Sequence, residues 1–155
     1  MSWLTNHALK KLILKNADQQ TKHAFLGVFP INKLPSHLSN YPTFLIINTQ
    51  THNLGGEHWF TIYISRKGIG EIFDSAAKPV DSRVKRWLNR FTRTWTRNTL
   101  IYQAPFSSLC GAYAVYYILN RLHYPSMRSL LSPYINHRKP IDDNFILGYY
   151  QRLQK

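Results

Sequence analysis

From Cys110 to Leu122 the chain reads Cys-Gly-Ala-Tyr-Ala-Val-Tyr-Tyr-Ile-Leu-Asn-Arg-Leu, which is apolar on nearly every side of a helix. A helix without a polar face has to be surrounded, so this run is the expected spine of the fold and the other elements must pack around it. Pro125 ends it. At 155 residues the chain has the length of one domain, expected to span 1–155, and can bury about two-thirds of the surface that its unfolded form exposes. The hydrophobic fraction of 44% and charged fraction of 17% are those of a globular chain.

The elements around the spine follow from period and punctuation. Phe44 to Asn48, after Pro42, reads as a buried strand, and His58 to Ile64 as a second. A turn at Lys67-Gly68 leads to a third, Gly70 to Asp74, making an antiparallel hairpin with the second. A fourth strand is expected over Thr99 to Gln103. Asp81 or Ser82 can cap a helix whose apolar residues Val84, Trp87, Leu88, Phe91 and Trp95 recur at spacings of three and four. A short helix is expected over Ser126 to Ser132, and Asp142 can cap a last one through Phe145, Ile146, Tyr149, Tyr150 and Leu153. Met1 to Lys15 mixes Leu9, Leu12 and Ile13 with Lys10, Lys11 and Lys15 and reads as an amphipathic helix, not as a secretory signal. No segment approaches the roughly 20 apolar residues of a membrane span, and one cysteine cannot form an internal disulfide. The reading is therefore a protein that is not secreted and makes no membrane contact.

That single cysteine, Cys110, opens the apolar helix. A helix N-terminus presents unpaired N–H groups and about half a positive charge, which favours thiolate over thiol. A thiolate nucleophile needs a base and a group to orient that base. His58 starts one strand of the hairpin and Asp74 ends the other, so antiparallel pairing brings them to the same end. Gln103, seven residues before Cys110, can donate a side-chain amide to a developing oxyanion, with the Cys110 N–H as the second donor. Each residue alone is weak: a lone cysteine is often a buried apolar residue, six other histidines are present, and Glu71 and Asp81 rival Asp74. One cysteine with scattered histidines gives no zinc-ligand spacing, so no metal is expected.

Twenty Lys and Arg against seven Asp and Glu give a net charge of +13, which points to a polyanionic partner. Arg83, Lys85, Arg86, Arg90, Arg93 and Arg97 carry six charges with no acid between Ser82 and Asn98, and are the expected phosphate contacts to double-stranded DNA.

The order His-Trp on a strand, an acid after an aromatic, Gln, then Cys-Gly opening a helix resembles the adenovirus protease (adenain) family, in the same clan as the ubiquitin-like-protein proteases. The resemblance runs through Phe25-Leu26-Gly27, Ile47-Asn48-Thr49, Gly55-Gly56-Glu57-His58-Trp59, Gln103-Ala104-Pro105 and Cys110-Gly111, covering about Ala24 to Leu122. It implies an α+β fold, with a central buried helix on a mixed or antiparallel sheet and flanking helices. It also implies a cysteine endopeptidase with a Cys110, His58 and Asp74 triad, Gln103 in the oxyanion hole, and Gly55, Gly56 and Trp59 lining a narrow substrate groove. Family members mature virion precursor polypeptides and are stimulated by DNA and a viral peptide; relatives occur in virus-like transposons and other double-stranded DNA viruses. For this chain that implies a monomer acting in the host cell nucleus or cytoplasm and the virion.

Adenain has Glu where this chain has Asp74, and the stretch from there to Gln103 is shorter here. The cysteine that tethers the adenain peptide is absent, which leaves a non-covalent peptide activator. Two other readings stay open: an isopeptidase that removes ubiquitin or a ubiquitin-like modifier, and a basic nucleic-acid-packaging protein with vestigial protease-like residues.

Overall fold

The computed structural model describes residues 4–49, 58–133 and 139–155. Five strands, β1 (Phe25–Pro30), β2 (Thr43–Asn48), β3 (Trp59–Ile64), β4 (Ile69–Phe73) and β5 (Thr94–Arg97), form one sheet in the order β1-β2-β3-β4-β5. The central pairs β2/β3 and β3/β4 are antiparallel, while β1 and β5 are added parallel at the two edges, so the sheet is mixed. Around it lie α1 (Asn6–Asn16), α2 (Gln19–Ala24), α3 (Ser82–Phe91), α4 (Cys110–Arg121), α5 (Met127–Leu131) and α6 (Asp143–Leu153), and the fold is α+β.

Every residue of β2 and β3 is buried, because both faces of the sheet are covered. Phe44, Ile46, Trp59 and Tyr63 face α4 and α1, while the alternate residues Leu45, Ile47, Phe60 and Ile62 pack with Val84, Trp87 and Leu88 of α3. Helix α4 is the expected spine: its residues 110–118 are all buried. Among the described residues no helix is long and apolar enough to cross a membrane.

Two close contacts fix where α4 lies along the sheet. At its start, a Cβ on Gly111 would sit 3.0 Å from Leu4 Cδ1 and 3.2 Å from both Leu9 Cδ2 and Trp59 Cε3, so any side chain there would push these neighbours back by a few tenths of an ångström. Further along, Tyr117 stacks on Phe73 with ring centroids 4.6 Å apart and donates its hydroxyl to Glu71 Oε1 at 2.5 Å. Arg121 makes a two-pronged bond to Glu71, from Nε at 2.8 Å and Nη2 at 2.7 Å. Burial opposes the charge on Arg121, but the Glu71 hydrogen bonds prevail and raise its pKa above the ordinary range.

Two expectations fail for local reasons, and one strand is additional. Thr99 to Gln103 is not a strand; the fourth partner is β5, and it ends because the Asn98 side chain takes over the ladder, accepting from Asp74 N–H at 2.8 Å and donating to Asp74 C=O at 2.7 Å. Trp95 is not on the α3 face: α3 stops at Phe91, where the Thr92 hydroxyl bonds Leu88 C=O at 2.6 Å, and Trp95 belongs to β5. Strand β1 was not anticipated as a strand; Gly27 with φ of 147° interrupts its pattern at the bulge against β2.

Gly111→Ala is expected to cost about 1–3 kcal/mol through overpacking, read from urea denaturation. Arg121→Met, which strands a buried carboxylate, is expected to cost about 3–5 kcal/mol, and the double variant Glu71→Leu/Arg121→Met to recover a good part of that loss. A double variant no more stable than the single would show that the ion pair is not what the single change breaks.

Candidate active site

The hairpin brings His58, just before β3, and Asp74, just after β4, to one end of the sheet, where His58 Nε2 donates to Asp74 Oδ1 at 2.8 Å. A turn holds the carboxylate: Oδ1 also accepts from Ala76 N–H at 2.9 Å and Oδ2 from Lys78 N–H at 3.3 Å. With Nε2 committed to the acid, the other ring nitrogen is left for the Cys110 side chain, and the two groups interact electrostatically. Cys110, His58 and Asp74 are only 5%, 7% and 7% exposed. A cavity of about 170 Å³ opens against His58 and Asp74, with Ile31, Phe60, Ile72 and Val80 as its apolar wall and Lys78, Asp81 and Arg83 also lining it.

The electrostatics of the cluster favour a charged pair. Burial disfavours charge on the imidazole, but the hydrogen bonds to Asp74 and Cys110 and their charges outweigh it and push His58 up from 6.5 to about 9. Burial would likewise raise the Cys110 thiol, yet the His58 hydrogen bond, the Trp59 and Gly111 backbone and the His58 charge hold it below its ordinary value. The α4 N-terminus adds to this. Thr5, Asp18, Asp81, Ser126 and Asp142 cap the other described helices with side-chain oxygens, whereas Leu109 gives α4 no side-chain cap. The dipole and N–H groups of its first turn therefore face the sulfur without a competing side-chain acceptor.

Gln103 lies in the segment between β5 and α4. Its Oε1 accepts from the buried Ser75 hydroxyl at 2.5 Å and its Nε2 donates to Ser107 C=O at 3.2 Å, so the amide is held in one orientation with its donor end toward the loop that enters α4. Ser75 C=O also receives Tyr102 and Gln103 N–H, at 2.8 and 3.1 Å. Ser75 and Asn98 were not anticipated, although Ser75 directly follows Asp74. Asn6 was missed as well: its Oδ1 accepts from Trp59 Nε1 at 2.8 Å and from Asn48 Nδ2 at 2.9 Å, tying α1 to the strands beside His58.

Trp59, which the resemblance places beside a substrate groove, is buried among the described residues. It is 5% exposed, in the core beneath Gly111, where it supports the start of α4. Gly55 and Gly56 lie outside the described residues. The six basic residues are not equivalent either. Arg83 is paired with Asp81 at 3.0 Å, and Arg97, on β5, spends its guanidinium on Ala77 C=O at 2.8 Å and Asn98 C=O at 3.2 Å. Lys85, Arg86 and Arg90 are exposed on α3, and Arg93 is exposed after it. Among the described residues no group of three or more His, Cys, Asp or Glu side chains is placed to hold a metal ion.

No family model matches the sequence, and no curated protein matches it. The fold is similar to that of the ASFV pS273R protease. One crystal structure overlays with a TM-score of 0.71 at 19% identity, covering 97% of this chain and 66% of that one. Its selenomethionine form overlays with a TM-score of 0.55 at 23% identity, covering 71% of this chain and 43% of that one. The chain thus spans less than two-thirds of the length of the structures it matches, and what it shares with them is the fold.

Proposed function

We propose that this chain is a viral cysteine endopeptidase that cleaves virion precursor polypeptides through Cys110, His58 and Asp74. The observation that carries this reading is the buried His58–Asp74 hydrogen bond of 2.8 Å beside a thiol whose pKa is lowered while that of the imidazole rises. Two further features agree with it: the likeness of fold to a viral protease, and the resemblance of the His-Trp and Gln-to-Cys-Gly elements to the adenain family.

The chemistry follows from these groups. The Cys110 thiolate attacks the scissile carbonyl, and the negative oxygen is met by the Cys110 N–H and the Gln103 amide. The His58 imidazolium, oriented by Asp74, gives its proton to the leaving amine, leaving a thioester on Cys110. Neutral His58 then takes a proton from water as its oxygen attacks the thioester. The carboxylic product leaves and the thiolate–imidazolium pair is restored.

Double-stranded DNA is the proposed assisting polyanion, held by Lys85, Arg86, Arg90 and Arg93, and a viral peptide could act as a second, non-covalent activator. With Arg83 and Arg97 engaged elsewhere, the available phosphate contacts fall from six residues to these four.

Cys110→Ala is expected to reduce cleavage of a peptide library below about 10⁻³ of wild type with the fold intact, and His58→Ala to do nearly the same. A Cys110→Ala protein that still cuts would end the assignment. Iodoacetamide labelling of Cys110 should titrate below the ordinary thiol range of about 8.5, and His58→Gln should move that midpoint upward. Since His58 is protonated below about 9 and neutral above it, kcat/KM should fall as pH rises through that value, and fall on the acid side as the thiolate is protonated. Binding to duplex DNA should weaken steeply with salt, and Arg86→Ala/Arg90→Ala/Arg93→Ala should shallow the logarithmic salt slope by about 3; an unchanged slope would place the nucleic-acid contact elsewhere.

A further inference from the structure

Loops commonly leave their peptide groups to water, but the one that carries Gln103 does not. Both peptide units flanking Gln103 are engaged: its own N–H donates to Ser75 C=O at 3.1 Å, and Ala104 N–H donates to Asp143 Oδ1 at 3.3 Å. The Tyr113 hydroxyl, on α4 three residues past Cys110, lies 2.8 Å from the same Asp143 oxygen and 3.0 Å from Tyr102 C=O. Tyr113 is fully buried, so this junction is shielded from water, where such bonds are strongest. Asp143, on α6, thereby joins the nucleophile helix to the backbone that carries Gln103.

The Gln103 side chain is held from the other direction. Ser107 C=O can only accept, so the amide nitrogen has to face it and Oε1 is turned toward Ser75. Ser75 is 1% exposed, and its hydroxyl meets that oxygen at 2.5 Å, where it has to be the donor. The direction of the amide is thus fixed at both ends, and Nε2, which carries two hydrogens, has a second one to give beyond the Ser107 bond. The two residues that bracket the amide belong to the reacting end of the sheet. Ser75 directly follows Asp74, whose N–H and C=O are both bonded by the Asn98 side chain, at 2.8 and 2.7 Å. Ser107 accepts from Leu109 N–H at 3.2 Å through its hydroxyl, and Leu109 caps the helix that opens at Cys110.

One turn therefore serves both halves of the site: Asp74 orients the imidazole, and the next residue orients the amide. We propose that Ser75 and Asp143 are positioning residues for the oxyanion donor, Ser75 by aiming the Nε2 end of Gln103 and Asp143 by fixing the backbone on which Gln103 stands; this rests on the endopeptidase reading above. Neither residue then touches the reacting atoms, and each acts only through Gln103. Asp143 lies on the last helix, outside the stretch from Ala24 to Leu122 that carries the adenain resemblance.

Double-variant cycles test this, run on a peptide that the wild type cuts and read as kcat and KM, with iodoacetamide labelling of Cys110 against pH and thermal unfolding alongside. Gln103→Ala should lower kcat about 10²–10³-fold. Ser75→Ala and Asp143→Ala should each lower kcat about tenfold and leave KM within about twofold of wild type. The labelling profile should not move, because Cys110, His58 and Asp74 stay in place. Asp143→Asn keeps an acceptor oxygen for Ala104 N–H and Tyr113, and should hold kcat within about twofold of wild type. Placed on Gln103→Ala, neither Ser75→Ala nor Asp143→Ala should reduce kcat further. If the buried Ser75→Ala does not fold, Asp143→Ala against Asp143→Asn decides the same question. The inference is overturned if the losses multiply in the double variants, if KM or the labelling profile moves instead, or if the single variants cut as fast as wild type. A wild type that cuts no peptide ends the endopeptidase reading, and this inference with it.

Discussion

The position of α4 along β3 and β4 is the constraint on which the rest of the structure depends. The three candidate catalytic residues sit at the ends of three elements, so a slide of the helix by one turn would separate the sulfur from the imidazole by about 5 Å. Tyr117 and Glu71 prevent that slide. Tyr117 is seven residues along the helix from Cys110, about 10 Å at 1.5 Å per residue, and Glu71 is three residues along the strand from Asp74, about 10 Å at 3.3 Å per residue. The Tyr117–Glu71 hydrogen bond therefore joins points equally far from the two ends that must meet, and the Arg121–Glu71 pair repeats the restraint one turn further on. Gly111 completes it at the near end by admitting Leu4, Leu9 and Trp59 against the helix backbone.

A buried polar network of this kind is a poor source of net stability, because desolvating Glu71 and Arg121 offsets much of their attraction. Its effect is on register. An apolar pair of equal volume could slide along the ridges of the sheet, whereas the fork of Arg121 meets two carboxylate oxygens in a single geometry. The same economy operates at the other end of the sheet. Cys110, His58 and Asp74 are as buried as Glu71 and Arg121, and burial opposes charge on both His58 and Cys110. Charge there is favoured by the His58–Asp74 hydrogen bond, by the interaction of His58 with Cys110, and by the start of α4, which has no side-chain cap.

The legible part of this fold was the part whose signals are local. The apolar period of α4, the Lys67-Gly68 turn between two β-rich runs, and Asp81, Ser126 and Asp142 at helix starts all carry their physics within a few residues. Pairing of His58 with Asp74 was equally accessible, since antiparallel strands joined by a short turn align their far ends. What could not be read depends on partners distant in the chain. Strand β1 becomes one through parallel pairing with β2, and Thr99 to Gln103 fails to become one because Asn98 closes the ladder at Asp74. The burial of Trp59 was equally hidden: its indole N–H is claimed by Asn6, more than fifty residues away, and its ring lies under Gly111. Arg83 and Arg97 counted as free charges until Asp81 and the carbonyls of Ala77 and Asn98 were seen to engage them.

The surfaces left over after these engagements divide by chemistry and by side. Helix α3, with Lys85, Arg86 and Arg90, covers the face of the sheet opposite α4, while the uncharged Asn98–Leu109 loop leads away from β5 to the start of α4. A phosphate backbone lying along α3 would gain from every exposed cation there and nothing from the loop. On the proposed reading, a polyanion along α3 and a polypeptide at Cys110 would occupy different elements of the fold. Positive charge is not confined to the exposed side of α3: Lys78 and Arg83 line the cavity against His58 and Asp74, so the start of that helix brings basic side chains to the reacting end of the sheet.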